Sequence, residues 1–291
     1  IYENGAPPDL TGLPVPRYDL INFDQYILPF YPVHGSRGCP NHCDFCAAPA
    51  FYGKKYRKRP IDELIADIKM AGDIILLVDH NLTADRHYAL TFFNALQPLK
   101  KLWIGLMNLA VASDPELLQA AADSGCIAAY IGIETLDTEK LQSVNKTANL
   151  NLSPVEALKQ FKRYHIEPFV SMMIGFDTDT PDVVDEIVNF CNRAKVPALM
   201  LYIMTPPPAS PLYDRLEKDG VAIKKEWHLF NGTRSVYDTP SMRSGELEQI
   251  YAEIYRRVYS LPSVFRRTLF PPHLVMALLN ITALRQNLLK D

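Results

Sequence analysis

Ile27-Leu28-Pro29-Phe30-Tyr31-Pro32-Val33-His34-Gly35-Ser36-Arg37-Gly38-Cys39-Pro40-Asn41-His42-Cys43-Asp44-Phe45-Cys46 is the stretch from which the rest of the chain is read. An apolar run, Ile27–His34, stops just before three cysteines spaced Cys-x3-Cys-x2-Cys. The run predicts a strand and the cysteines the loop that follows it. Three thiolates can hold three irons of a cubane iron–sulfur cluster and leave the fourth iron open. An open iron can take a substrate or cofactor, whereas a fully ligated cluster mainly passes electrons. The alternatives are a zinc site and free buried cysteines. Zinc needs four ligands, commonly as two paired sets. His42 is the nearest fourth ligand, but it sits inside the same short loop, where the geometry is strained.

Outward from this loop, short apolar runs alternate with amphipathic helical patterns. The runs Ile74–Val78, Leu102–Leu109, Ile127–Ile133, Pro168–Phe176 and Ala198–Met204 read as strands. Helix starts stand between them. Pro60-Ile61-Asp62-Glu63 has proline in the first turn and acids near the positive end of the dipole. Tyr88–Leu96 has a helical period, and Asp114 caps a helix that Gly125 stops. Ser153-Pro154-Val155-Glu156 has capping-box spacing, and Thr180-Pro181-Asp182 opens the next helix. Strands alternating with helices give a parallel sheet with crossover helices. The expected class is α/β, a partial (β/α)6 TIM-like barrel over 31–211, with a doubly wound open sheet as the alternative. Residues 1–30, rich in Pro and Asp, read as a linker. The chain begins with Ile1, and the expectation is that it belongs to a longer protein. Residues 212–291 read as a mostly helical C-terminal extension, containing a mixed, loop-like stretch Trp227–Met242 and a tyrosine-bearing helix Glu246–Tyr259. Its tail, Leu269–Leu289, is apolar and partly amphipathic, compatible with a docked helix or with peripheral contact at a membrane surface.

The 291 residues suffice for one large core, and 48% apolar with 22% charged content is ordinary for a globular protein. A net charge of −3 offers no argument for nucleic acid. Five cysteines, three of them clustered, do not make a disulfide scaffold; they indicate a reducing, cytoplasmic setting and metal chemistry. No signal peptide or transmembrane segment is legible. Cys126 and Cys191 read as small core hydrophobes.

Ser36-Arg37-Gly38-Cys39-Pro40-Asn41-His42-Cys43-Asp44-Phe45-Cys46 resembles the signature loop of radical S-adenosylmethionine (SAM) enzymes, in which an aromatic such as Phe45 precedes the last cysteine. Further stretches resemble the class that carries an N-terminal cobalamin-binding domain: Pro14–Leu20, Phe51–Arg59, Gly175–Thr180 and Thr205–Tyr213. The resemblance implies a [4Fe–4S] cluster on Cys39, Cys43 and Cys46. It implies SAM on the open iron, cleaved by one electron to methionine and a 5′-deoxyadenosyl radical. The electron would come from a donor such as a flavodoxin or ferredoxin, and the substrate would be a small molecule. Cobalamin is implied by kinship alone: no Asp-x-His-x-x-Gly motif stands in this chain, and the cobalamin domain itself is missing from it.

Phe45, Asp79, Asn81, Glu134, Ser171, Met173 and Gly175 are the residues the resemblance places around SAM, and each has a plainer reading. Asp79 and Asn81 end the second strand, where the family contacts the SAM amino group, often through a Gly-Gly-Glu that this chain lacks; a turn or cap is the plainer role. Glu134 ends the fourth strand, and a salt bridge is its alternative. Ser171, Met173 and Gly175 share one face of the fifth strand by alternation, against adenosine or as core filling. The basic run Lys54–Arg59 fits an anionic substrate, a cover over the cluster or an electron donor, although such runs are commonly solvated loops. Tyr202 and Met204 either line or fill the interior, and the tyrosines of the last helix would cap an open side. No catalytic side chain is assigned. The expected activity is radical SAM chemistry, with cobalamin-dependent methylation or rearrangement of an unactivated carbon foremost. A cobalamin-independent oxidase or cyclase and a non-catalytic iron–sulfur protein are the competing readings.

Overall fold

In a computed structural model of the protein, residues 7–26 and 29–268 are described. The start of the first predicted strand, Ile27 and Leu28, and the tail Leu269–Leu289 lie outside them. Among the described residues eight strands occur: β1 (Phe30–Val33), β2 (Ser36–Arg37), β3 (Arg57–Lys58), β4 (Ile74–Leu77), β5 (Leu102–Met107), β6 (Cys126–Glu134), β7 (Glu167–Ile174) and β8 (Ala198–Ile203). Six form one sheet in the order β1-β4-β5-β6-β7-β8, and β2 pairs antiparallel with β3. The sheet strands are those read from the sequence. The helices among the described residues are α1 (Ala48–Tyr52), α2 (Ile61–Met70), α3 (Arg86–Leu96), α4 (Pro115–Asp123), α5 (Thr138–Ser143), α6 (Pro154–Arg163), α7 (Val183–Arg193), α8 (Pro211–Lys218), α9 (Ser244–Val258) and α10 (Leu261–Thr268). The class is α/β, with the strand order of a partial TIM-like barrel followed by a helical C-terminal region.

The predicted caps are made. The Asp114 side chain accepts from Leu117 N at 3.1 Å, and Gly125 takes φ +94 just past α4. The cap of α3 is Asp85, whose Oδ1 accepts from Tyr88 N at 2.9 Å, so that helix starts a half-turn before the apolar period shows. Helix α8 lies where the sequence pattern seemed to lapse. Ser210 caps it by accepting from Tyr213 N at 3.2 Å, and Pro211 takes its first position.

By packing, the chain groups into two compact units, each assembled from separate segments. The first comprises residues up to 42, 48–130 and 160–167. Its strands β1, β4 and β5 pair in parallel register, Val33 opposite Leu77 and Leu77 opposite Gly105. Its core contains Leu64, Ile68, Ile75, Leu77, Phe92, Phe93 and Trp103, all fully buried. Phe93 stacks on Trp103 with centroids 5.1 Å apart, and the indole N–H reaches Ser124 Oγ at 3.1 Å, so the ring is buried without an orphaned donor. Part of the predicted linker belongs to this unit. The Tyr18 hydroxyl lies 2.9 Å from Asp67 Oδ1, and Arg59 pairs with Asp67 Oδ2 at 2.6 Å. The basic run is therefore divided: Lys54 and Lys55 are exposed, whereas Arg59 is a buried ion-pair partner.

The second unit comprises 43–47, 131–159 and 168 onward. Here β7 and β8 pair in parallel, Ser171 opposite Met200 and Ile174 opposite Ile203. Strand β8 is the last in the sheet, so its outward amides have no strand partner. Tyr255 of α9 and Tyr259 at its C-terminal cap supply the partners. The Tyr259 hydroxyl receives Leu199 N and approaches Leu199 O, each at 3.0 Å, and the Tyr255 hydroxyl receives Leu201 N at 3.1 Å. Ile203 N donates to Gly232 O at 2.7 Å. These tyrosines thus pair the outward edge of the last strand, a role the sequence reading did not give them.

Removing these hydroxyls leaves strand amides unpaired. Tyr259→Phe should lower the unfolding free energy by ~1–3 kcal/mol. Tyr255→Phe should cost less, because its hydroxyl serves a single amide of the strand. Denaturant unfolding of both variants checks the order.

Candidate functional site

The cysteine loop is shaped by its glycine. Gly38 sits at φ +86, and a Cβ there would lie 2.3 Å from Lys55 O and 2.9 Å from Gly53 O. The residue before Cys39 must therefore be glycine, both for its backbone angle and for the closeness of the 53–55 loop. Within the same unit, Asp79 is fully buried at the end of β4. Its Oδ2 accepts from Gly35 N at 3.1 Å and its Oδ1 from the Ser36 hydroxyl, so it holds the turn that leads into the cysteine loop. Burial pushes its carboxyl up to about 6, against the opposing hydrogen bonds of Ser36 and Gly35. Asn81 is also buried, and its Oδ1 accepts from Thr83 Oγ1 at 3.3 Å. Between them, the His80 ring packs 4.6 Å from Tyr52 of the post-cluster segment.

In the second unit, Cys43 is buried and Cys46 half-buried, with Cys46 N donating to Cys43 O at 3.1 Å. Asp44 between them is pinned three times. Its N donates to Val144 O at 3.0 Å, its carbonyl accepts from Leu212 N at 3.0 Å, and its carboxylate accepts from Asn145 Nδ2 at 2.8 Å. Phe45 packs against a core of Val144, Met173, Phe176, Met204, Leu212, Leu216, Val236 and Tyr237. The aromatic of the loop is thus an anchor for Cys46, and Met173 and Met204 are members of that core. Tyr202 packs against the same core, half-buried.

Glu134 and Ser171 are brought together. Glu134 closes β6 at φ +69, an angle unusual for a residue with a side chain. Its Oε1 pairs with Lys146 Nζ at 3.1 Å and its Oε2 accepts from Ser171 Oγ at 3.4 Å. Gly132 makes room for the pair, since a Cβ there would lie 2.3 Å from Glu134 Oε1 and 3.2 Å from Lys146 Nζ. Gly175 follows β7 at φ +97, with neighbours at ordinary distance, so its need is conformational rather than for space. Asp179 Oδ2 accepts from Gly175 N at 2.7 Å and Phe176 N at 3.1 Å, and Lys140 Nζ balances its other oxygen at 2.7 Å.

Lys146, Asn145, Asp179 and Lys140 were given no role by sequence reasoning. Asp179 stands inside a quoted motif, but nothing in its spacing distinguishes it from Asp177. Lys146 follows an asparagine in a polar turn and looks like any loop lysine. Cys126 and Cys191 are buried away from this chemistry; burial pushes both thiols far above the usual cysteine range, Cys191 to about 12. Among the described residues, no three His, Cys, Asp or Glu side chains gather where one metal ion could sit. A cubane places each thiolate on a different iron, so its ligands need not converge on one point. The loop suits such a cluster in that its backbone is held at Asp44, next to Cys43, by Val144 O and Leu212 N.

Asp79 has a pH signature. Its folded pKa, about 6, lies above the ordinary 3.8, so its contribution to stability is present at low pH and lost as pH rises through about 6. Asp79→Asn removes this dependence. Relative to wild type, the variant should gain roughly 1–2 kcal/mol between about pH 5 and about pH 7.5 in denaturant unfolding. Gly132→Ala should push the Glu134 carboxylate aside, and because that group ends a flexible side chain the cost should stay at or below ~1 kcal/mol, read in the same assay.

Comparison with known proteins identifies the family. The model of the Radical SAM superfamily matches residues 33–191. The hopanoid C-2 methylase of Rhodopseudomonas palustris is 28% identical over 223 residues, covering 73% of this chain and 42% of the relative. The bacteriochlorophyllide d C-12(1)-methyltransferase of Chlorobaculum tepidum is 22% identical, covering 81% of this chain and 53% of its own. The chain thus spans about half the length of these curated relatives. Among solved structures, the radical SAM methyltransferase TsrM from Kitasatospora setae, with cobalamin and a [4Fe–4S] cluster bound, shares the fold at a TM-score of 0.60 and 13% identity, over 67% of this chain and 40% of that one. No helix among the described residues is long and apolar enough to cross a membrane. The cysteine loop, the α/β order of strands and the match over 33–191 together establish that this chain belongs to the radical SAM superfamily.

Proposed function

We propose that this chain is the radical-generating part of a cobalamin-dependent radical SAM methyltransferase acting on an unactivated carbon of a small molecule. The observation that carries the reading is the cysteine loop itself: thiols of Cys39, Cys43 and Cys46 in a loop shaped by Gly38. Likeness to methylases of hopanoids and bacteriochlorophyllides supports methylation as the outcome. When bound, the cluster supplies one electron to SAM, whose cleavage gives a carbon-centred radical.

The chain's own residues have separable tasks in this reading. Cys39, Cys43 and Cys46 hold the cluster. Glu134 and Ser171 present oxygen atoms to the polar groups of SAM, Glu134 as an anion able to receive an ammonium. Asp79 shapes the turn before the cluster, and Asp79 and Asn81 offer further acceptors at a strand end. Gly175, fixed by Asp179, sets the path of the backbone past the adenosine. Met173 and Phe45 line that region with apolar surface that excludes water. Cobalamin enters through likeness to relatives, and no side chain of this chain is assigned to it. An electron donor of the flavodoxin or ferredoxin class completes the reaction.

Anaerobic reconstitution with iron and sulfide should give the broad absorbance of a [4Fe–4S] protein. Reduction in the presence of SAM should then release 5′-deoxyadenosine. Cys43→Ala should abolish both signals, and retained cleavage by that variant sinks the ligand assignment. A fully loaded wild-type protein that leaves SAM intact would return the chain to the class of electron carriers.

A further inference from the structure

A cleft of about 330 Å³ opens in the second unit where the last turns of α7 and α9 meet α10. It stands at the entry of β8, since the neighbouring Tyr259 pairs with Leu199 and Arg267 donates to Val196 O at 2.5 Å. The cleft walls carry three guanidinium groups, Arg256 and Arg257 from α9 and Arg266 from α10, against the carboxylate of Glu253. Arg256 Nε donates to Glu253 Oε2 at 3.0 Å, and Arg257 Nη2 pairs with Asp185 of α7 at 2.6 Å. Both pairs are open to solvent, where an ion pair contributes little and exchanges readily for another anion. Arg266 is exposed and makes no ion pair among the described residues. Residues 253–268 hold four arginines and one acid in a chain of net charge −3, so the basic excess is local.

Helix α10 is fastened on one side only. Ser263 Oγ donates to Asn192 Oδ1 of α7 at 2.9 Å, and the buried Arg267 reaches Val258 O of α9 at 2.7 Å. The outward stripe is Leu261, Pro262, Phe265 and Arg266. Leu261 and Phe265, one turn apart, are 57% and 55% exposed. Two large apolar side chains beside a group of arginines match the boundary of a bilayer, where apolar groups enter the acyl region and guanidinium groups meet headgroup phosphates. A free anion in the cleft would use the arginines and leave Leu261 and Phe265 in water. An anionic bilayer engages both.

We propose that the outward stripe of α10 and the arginine cleft beside it form a docking face for an anionic phospholipid bilayer. Arg256 and Arg266 receive headgroup phosphates, and Leu261 and Phe265 enter the acyl boundary. The contact is an anchor, because Glu134 and Ile174 close their strands at the other end of the sheet. It needs neither cluster nor SAM, so its failure and that of the radical reading are distinct results.

The test is flotation of the full-chain protein on a density gradient with vesicles of equimolar phosphatidylglycerol and phosphatidylcholine, and with vesicles of phosphatidylcholine alone. Wild type should float with the first and not with the second, and added salt should release it. The double variant Arg256→Gln, Arg266→Gln should bind about 20-fold more weakly, at about fivefold per arginine. Phe265→Ser should bind about tenfold more weakly through lost apolar insertion. Lys218→Gln, at an exposed lysine of α8, should bind as wild type. Circular dichroism checks that each variant is folded. If the double variant is not, Arg266→Gln alone decides, with the same loss of about fivefold expected. Wild type that floats with neither vesicle overturns the proposal, even if inorganic phosphate binds. Equal flotation with both vesicles overturns it too, because headgroup charge is then not read. Unchanged binding by a folded arginine variant, or a loss in Lys218→Gln as large as in that variant, removes the cleft from the contact. A loss in the arginine variant with Phe265→Ser unaffected overturns the bilayer seat and leaves a cleft for soluble anions or an acidic protein.

Discussion

Glu134 ends a strand whose other residues are mostly buried, and its carboxylate therefore has to be met by a partner within the fold. Lys146 and Ser171 meet it, and much of the second unit's site follows from that need. The pair sits in space that glycine leaves at 132: a Cβ there would lie 2.3 Å from the Glu134 carboxylate, which would have to move aside. It requires the turn at Asn145, which in turn grips Asp44 and so orients the loop between Cys43 and Cys46. The left-handed backbone at Glu134 itself persists because these contacts over-determine it. Strain, charge and loop placement are here consequences of one buried carboxylate.

The same logic governs the other strand ends. Asp79 satisfies Gly35 N and Ser36, and Asp179 satisfies Gly175 N and Phe176 N. Each is a buried acid whose oxygens tie down the turn that leaves a strand. The acids thus serve as scaffolding for turns of the kind in which α/β enzymes carry their chemistry. For Asp79 the plainer role as a turn residue is visible in its hydrogen bonds. A contact with SAM is compatible with it only through the remaining acceptor capacity of a carboxylate already engaged on both oxygens. Glu134 is better disposed for ligand, since Ser171 at 3.4 Å is a long partner that is readily exchanged.

Most of the secondary structure was legible because its signals are local. Runs of apolar residues, the Asp114 cap and the proline-led helix starts depend on neighbours within a few positions. Helix α8 escaped because its apolar face, Leu212, Tyr213 and Leu216, is short and is embedded among charged residues. Arg59 was misread as part of a solvated run because burial of a cation is set by Asp67 and Tyr18, distant in the chain. Lys146 was invisible for the same reason: its partner is twelve positions away, so no spacing rule joins them.

The amino-acid sequence alone determined the α/β class, the order of strands and helices, and the three-cysteine loop with its implied chemistry. These follow from periodicity and from ligand spacing, both short-range properties. Only the tertiary structure decided which residues share a site: that Glu134 meets Lys146 and Ser171, that Asp44 is held by the 144–145 turn, and that Phe45 is an anchor in a core of methionines and aromatics. It also decided that Tyr255 and Tyr259 close the last strand through their hydroxyls. Such pairings arise because buried polar groups and open strand edges must find partners, and the partner is chosen by proximity in the fold rather than by distance along the chain.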